Sequence, residues 1–415
     1  MDLDFRGGPK KPKVIEPLNN LTEPKLPSFD TLDGTGDPEP VEPAELKTDG
    51  PVVDSKTASQ KTGFFSFRWN HSKRFTIIVA AIAILVIGGG VAAAYILHPA
   101  DQGSTSVSKK LPSTKKVPTT VASNLTGLQV DPSVNNRPIT GVMIENSEDA
   151  RPQSGMDQAG VVFEAIAEGG ITRFLTLYQD GTPDYVGPVR SVRPYYLQWC
   201  MGFDCALAHA GGSPEALSDV KAWGAKDLDQ FANAGAYWRI DSRYAPHNLY
   251  TSTAKLNELE SAKGFGTASF TPLTRKKEAP SKTPTAASID LNISSYAFNA
   301  HFDYDTATNS YKRSQNGAPH MVINAGGDQV QLQPKVVVVL MTSYGIASDN
   351  HSQYGVTGSG EAYVFQDGVM TKGTWHKDET KTSLSMTNEA GQPLGLNAGQ
   401  TWFTALPGAD KMTYK

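Results

Sequence analysis

The charged and nucleophilic side chains of this sequence gather in four short segments. "GPVRSVRPYY" (187–196) sets Arg190 and Arg193 three positions apart between two prolines, and "HAGGSPE" carries His209, Ser213 and Glu215. "YWRIDSRYAPHNLYTS" (237–252) adds Arg239, Asp241, Arg243, His247 and Asn248, and "FEAIAEGGITRF" supplies Glu164, Glu168 and Arg173. Arginine presents a rigid fork that matches carboxylate or phosphate, so Arg190, Arg193, Arg239 and Arg243 are candidates for an anion site. His209, His247 and Asn248 could add directional hydrogen bonds, with Ser213 and Glu215 in the same cluster. The competing use of these guanidinium groups is internal pairing, for instance Arg173 or Arg193 with Glu164 or Glu168, which would brace the fold instead. At this level both uses stay open.

Two catalytic readings are weaker. Ser213, with His209 or His247 as base and Asp241 as orienter, supplies the residue types of a hydrolytic triad. "HAGGSPEA" nevertheless lacks the G-x-S-x-G elbow, because proline follows the serine. As the residue before Pro214-Glu215, Ser213 already suits a helix N-cap. No H-E-x-x-H or other tight ligand spacing is present, so neither a metal nor a cofactor is expected, and no residue is assigned a catalytic role.

Positioning these segments is the work of the surrounding chain. The sequence has 415 residues and a formal net charge of -4, which excludes the global basic field that nucleic-acid binding requires. Residues 75–97, "FTIIVAAIAILVIGGGVAAAYIL", carry no charge and are long enough to cross a bilayer as a helix. Arg68, Lys73 and Arg74 abut its N-terminal end, so by the positive-inside rule the tail 1–74 is expected in the cytoplasm and the C-terminal body outside. That tail is rich in Pro, Asp, Glu and Lys and is expected to be disordered. Residues 98–134 are expected to form a flexible Ser/Thr/Pro/Lys stalk.

The body divides into a mixed α/β domain over 135–280 and a β-rich domain over 281–410, an α+β fold class. "RPITGVMIEN" and "ITRFLTLYQD" read as strands, "YYLQWCMGF" as a short helix and "CALAHAGGS" as a buried strand ending in a glycine turn. "SPEALSDVKAWG" reads as a capped helix. In the second half "KVVVVLMTSY" is a buried strand, "EAYVFQDGVMTKGTW" a hairpin turning at Asp367-Gly368, and "GQTWFTAL" an alternating final strand. Cys200 and Cys205 are the only cysteines. Outside the cell they could close a small disulfide or remain buried thiols, and spacing alone does not decide.

The same segments carry a family resemblance. The stretch from "RPITGVMIENSEDARPQSG" through "GPVRSVRPYY", "HAGGSPEA" and "APHNLYTS" resembles the first domain of the YerB-like bacterial lipoproteins, a family of unknown function. Residues 360–407, "GEAYVFQDGVMTKGTWHKDETKTSLSMTNEAGQPLGLNAGQTWFTALP", resemble its second domain. The resemblance covers roughly residues 135–408 and implies an exported, membrane-anchored protein with an α+β first domain and a β-rich second one. It implies no activity. One departure stands out: that family's anchor is a lipidated N-terminal cysteine, and here no cysteine precedes Cys200, so the apolar segment 75–97 is expected to replace the lipid.

The leading expectation is a non-enzymatic surface protein that binds an anionic or glycan-like envelope ligand, either a cell-wall component or an anionic small molecule. The alternatives are an envelope hydrolase and a transmembrane scaffold for protein partners, whose identity the sequence does not give.

Overall fold

The computed structural model describes residues 119–415. The cytoplasmic tail expected over 1–74, the span expected over 75–97 and the first part of the stalk lie outside the described residues. Among those described, no helix is long and apolar enough to cross a membrane.

The strands that build the core are β1 (Thr140–Glu145), β2 (Val161–Glu168), β3 (Ile171–Tyr178), β4 (Ala206–Ala208) and β5 (Lys226–Asp227). Three α-helices, α1 (Pro194–Met201), α2 (Pro214–Ala222) and α3 (Thr253–Ala262), belong to this half, with the small hairpin β6 (Tyr237–Arg239) and β7 (Leu249–Thr251). The second half is nearly all strand: β8 (Ser288–Leu291), β9 (Ala300–Asp305), β10 (Ser310–Gln315), β11 (Val336–Met341), β12 (Tyr344–Ile346), β13 (Ser352–Tyr354), β14 (Gly358–Gln366), β15 (Val369–Lys377), β16 (Ser385–Asn388), β17 (Thr401–Leu406) and β18 (Met412–Tyr414).

Ten of these strands form one mixed sheet in the order β16-β15-β14-β11-β17-β2-β3-β1-β4-β5. The two halves meet where β17 runs parallel to β2, with Thr401 opposite Val161 and Thr404 opposite Glu164. The first half ends its helices with α3 at Ala262 and β8 opens the second half at Ser288, yet the central sheet takes strands from both. Position in that sheet explains why "TWFTAL" is buried along its whole length rather than alternating: β17 is flanked on both edges and covered on both faces. Nor is it the last strand, because β18 follows and pairs with β8 in a separate five-stranded sheet.

Local signals act where expected. Asp367 and Gly368 adopt φ of 58° and 75°, the left-handed pair that a two-residue hairpin needs, and Gln366 faces Val369 across the turn. Ser213 caps α2 by accepting a hydrogen bond from the Ala216 amide at 3.3 Å, with Pro214 in the first turn. Cys200 and Cys205 form a disulfide with Cα atoms 5.2 Å apart, fixing the end of α1 to the start of β4. The stalk expected to reach 134 ends sooner. Val121–Ala122 pairs with Gln129–Val130, Leu125 is only 1% exposed, and Ser123 and Thr126 both donate to the Asp180 carboxylate.

The core is continuous across the halves. Phe163 of β2 lies stacked between Trp199 of α1 at 4.8 Å and Phe403 of β17 at 4.7 Å. Beside it, Glu164 and Arg313, both 0% exposed, form a forked ion pair in which Arg313 Nη2 reaches both carboxylate oxygens at 2.9 Å. Removing one member strands a buried charge, so Arg313→Ala is expected to lower the stability by about 3–5 kcal/mol. The Glu164→Leu/Arg313→Met double variant is expected to recover most of that loss in urea unfolding.

A second buried acid sets a pH dependence. Glu260 of α3 packs fully buried against β1, where Thr140 Oγ1 donates to it at 2.8 Å, and burial pushes its carboxyl up to about 7. The folded protein therefore keeps a proton that the unfolded chain releases above its ordinary 4.5. Stability should fall as pH rises from 4.5 toward 7, by on the order of 3 kcal/mol from this group. Glu260→Gln is expected to flatten that part of the melting-temperature profile.

Candidate functional site

Residues 187–193 of "GPVRSVRPYY" run as extended chain over the end of β1, and Pro194 opens α1. Val189 bridges Ile144, Val192 bridges Gly212, and the Arg190 amide donates to Met143 O at 3.0 Å. In extended chain, positions three apart point to opposite sides, so the two arginines part company. Arg193 turns inward, is 3% exposed, and shares the Glu168 carboxylate with Arg173. Arg193 Nη1 also donates to Val192 O at 2.7 Å, and Arg173 Nη1 to Ser191 O at 3.0 Å. This is the internal brace, and it removes Arg193 from any ligand site.

Arg190 turns the other way, toward a cleft of about 340 Å³ lined by Arg190, Ser191, Gly211, Gly212, Phe231 and Arg239. Its Nε lies 3.4 Å from Glu145 Oε1 without forming a hydrogen bond, and its terminal nitrogens bond to no protein atom among the described residues. Burial lowers the Arg190 pKa while the Glu145 charge opposes that shift. Gly211 has a φ of 63°, which favours glycine, and a Cβ there would come within 3.2 Å of the Phe231 ring. Phe231 itself is 75% exposed at the cleft rim.

The other expected residues work behind this surface or away from it. His209 is fully buried; its Nδ1 meets Gly211 O at 2.8 Å and its Nε2 meets Asp227 Oδ1 at 3.0 Å. Asp229 accepts from the Gly211 amide at 2.8 Å, so the glycine loop is held from both sides. Burial alone would raise the Asp227 carboxyl, but its hydrogen bond and charge contact with His209 keep it below the ordinary carboxylate range. Asn248 orients Arg239 by accepting from its Nη1 at 2.7 Å, and donates to Ile240 O and Arg243 O. Arg243 is structural: it donates to Ala150 O, Pro152 O and the Tyr250 hydroxyl at 2.7–2.8 Å. His247 Nδ1 lies 3.0 Å from Glu145 Oε1 and 3.2 Å from Ser147 Oγ.

Ser213 is 3% exposed and committed to capping α2, and it hydrogen-bonds to neither His209 nor His247. The residues proposed for hydrolysis are therefore not assembled. Glu215 lines a different cleft, between α1 and the β12–β13 hairpin. Of the nine expected ligand residues, Arg190 and Arg239 reach one open cleft. Sequence reasoning missed Phe231, whose lone aromatic ring in "DLDQFANAG" was the available signal, and Glu145, an acid ending a buried strand. Their neighbours Asp227 and Asp229 gave no signal.

Arg243 and Arg239 should separate cleanly by thermal unfolding. Arg243→Ala leaves three acceptors without their charged donor and is expected to cost about 2–3 kcal/mol. Arg239→Ala alters an exposed side chain and should stay within about 0.5 kcal/mol.

Comparison with known proteins matches this architecture. The N-terminal domain described as a protein of unknown function (DUF3048) matches residues 125–266, and the corresponding C-terminal domain matches residues 289–403. A Bacillus subtilis (strain 168) protein, YerB, named as a lipoprotein, is 30% identical over 293 residues, covering 69% of this chain and 86% of the relative. The crystal structure of the Bacillus subtilis YerB protein superposes with a TM-score of 0.64 at 28% identity, covering 71% of this chain and 99% of that one. Both domain matches stand in order on one chain, over the strands and helices described above, and the chain belongs to the YerB-like DUF3048 family.

Proposed function

We propose that the folded body lies outside the cytoplasmic membrane and binds an anionic, glycan-like envelope ligand in the Arg190–Arg239 cleft. The observation that carries this reading is the pair of guanidinium groups lining one open cleft, with no carboxylate among the lining residues. Each guanidinium keeps donors free, since Arg239 spends Nη1 on Asn248 and Arg190 bonds to no protein atom through its terminal nitrogens. Such donors match the oxygens of a phosphate or carboxylate. Phe231, exposed at the rim, offers a flat apolar face against which the C–H side of a sugar ring can pack.

Location rests on separate support. The Cys200–Cys205 disulfide suits an oxidising compartment, the relative YerB is named as a lipoprotein, and the apolar segment 75–97 has the length of a membrane span. On this reading the span holds the body at the surface where a lipid holds the relative. The body would then meet cell-wall polymer or a soluble anion on the outer side, without acting on it chemically.

Binding of the full-length protein to purified cell-wall fragments, native and chemically stripped of phosphate, tests the reading. Native fragments are expected to bind, with affinity falling as salt rises. Arg239→Ala should weaken binding about tenfold, the value of one charged hydrogen bond. Equal binding by the variant, or indifference to both phosphate removal and salt, would sink the proposal.

A further inference from the structure

The second cleft has a different chemistry. Helix α1 and the hairpin β12–β13 enclose about 460 Å³, walled by Tyr195, Gln198, Glu215, Ser343, Tyr344 and Tyr354 among others. The hairpin is firmly seated. The Ile166 amide donates to the Tyr354 hydroxyl at 3.2 Å, His351 bridges Glu168 in the backbone, and Tyr195 meets Tyr354 edge to face at 5.0 Å. Tyr344 in turn packs on Tyr354 at 4.9 Å, leaving part of its ring toward solvent.

The charge of this cleft has one sign. Glu215 is the only acidic side chain among the lining residues, and no lysine, arginine or histidine lines the cleft. The nearest arginine along the chain, Arg193, is spent on Glu168, and Asp349 and His351 on the hairpin pair with each other at 2.8 Å. The Glu215 carboxylate is exposed and makes no ion pair or side-chain hydrogen bond among the described residues. Its place in the first turn of α2 favours the helix N-terminus, an effect of only about 0.3–1 kcal/mol that leaves its oxygens open.

We infer that this cleft binds a primary ammonium group. Glu215 supplies the counter-charge, the Gln198 amide oxygen and the Ser343 hydroxyl accept its remaining N–H donors, and the Tyr344 face attracts the cation. A neutral sugar could also hydrogen-bond to these groups, the carboxylate included, but would forgo the opposite-charge contact with Glu215. A bare metal ion would find one carboxylate where it needs several hard ligands.

The test is isothermal titration of the full-length protein in detergent micelles with N-acetyl-lysine methylamide and with its Nε-acetylated counterpart. The free amine should bind at least tenfold more tightly than the acetylated probe. Glu215→Gln and Tyr344→Ala, both at exposed positions, should each weaken the amine about tenfold, whereas Arg239→Ala should leave it unchanged and so separate this cleft from the arginine one. Equal affinity for the two probes, no binding of either, or a loss in Arg239→Ala without one in Glu215→Gln would overturn the inference.

Discussion

The buried pair between Glu164 and Arg313 is the constraint on which the rest of this fold depends. Two charges with no solvent contact are tolerable only if their donors and lone pairs are nearly all occupied. Arg313 Nη2 takes both oxygens of Glu164, while Trp402 Nε1 at 3.1 Å and Thr172 Oγ1 at 3.3 Å complete the carboxylate. Arg313 Nη1 serves Gln315 and His320, and the guanidinium lies 4.7 Å from the Trp402 ring centre. Glu164 and Thr172 come from the first half, and Arg313, Gln315, His320 and Trp402 from the second. Such a pair adds little net stability, but it penalises heavily any docking of the halves in another register. The parallel alignment of β17 on β2 is therefore specified electrostatically as well as by the packing of Phe163 between Trp199 and Phe403.

The same network reaches the surface. Burial first, then the charges of Arg313 and Arg151, push the His320 pKa well below its ordinary value, so the ring is neutral. Its Nδ1 accepts from Arg313, which leaves Nε2 to donate to Gln153 Oε1 at 3.0 Å. Gln153 passes the order on, donating to Glu145 O and Asn146 Oδ1 at 3.0 Å. Glu145 ends β1 and Asn146 follows it, and the Glu145 side chain faces His247, Ser147 and Arg190. The strand end beneath Arg190 is thus pinned by bonds running back to the interior.

How much of this was legible in the sequence depends on the range of the interaction. The Asp367-Gly368 turn, the Ser213 cap and the buried run at 336–341 are decided by neighbours within a few positions, and each reads directly. The α+β class and the β-rich second half follow from the same local patterns. The arginines do not read this way. Arg193 and Arg190 share a motif, yet Glu168, 25 positions away, claims one and leaves the other. Arg243 is claimed by carbonyls more than 90 positions earlier. Residues 121–134 have the polar composition of a linker, and only the distant Asp180 and Arg275 reveal that they are packed, Arg275 by donating to Leu125 O. The resemblance to a family supplied what local rules could not: that these segments belong together.

Where polar satisfaction fails locally is itself informative. Glu145 is buried, and its Oε1 is approached by Ser147, His247 and Arg190 while its Oε2 has no partner. Arg190 Nε, 3.4 Å from the crowded oxygen, has none either. An arginine and a glutamate this close could form a forked pair like the one in the core, and Glu164 with Arg313 shows that the fold is able to build it. At the surface the pair stays open: the carboxylate is turned to His247 and Ser147, and the guanidinium is left with donors facing the cleft. The core pair is the more complete of the two, with only Arg313 Nε lacking a partner. This incomplete pair lies beside a glycine loop held by His209, Asp227 and Asp229, and under the proposed function an anionic ligand would take up the free guanidinium donors of Arg190.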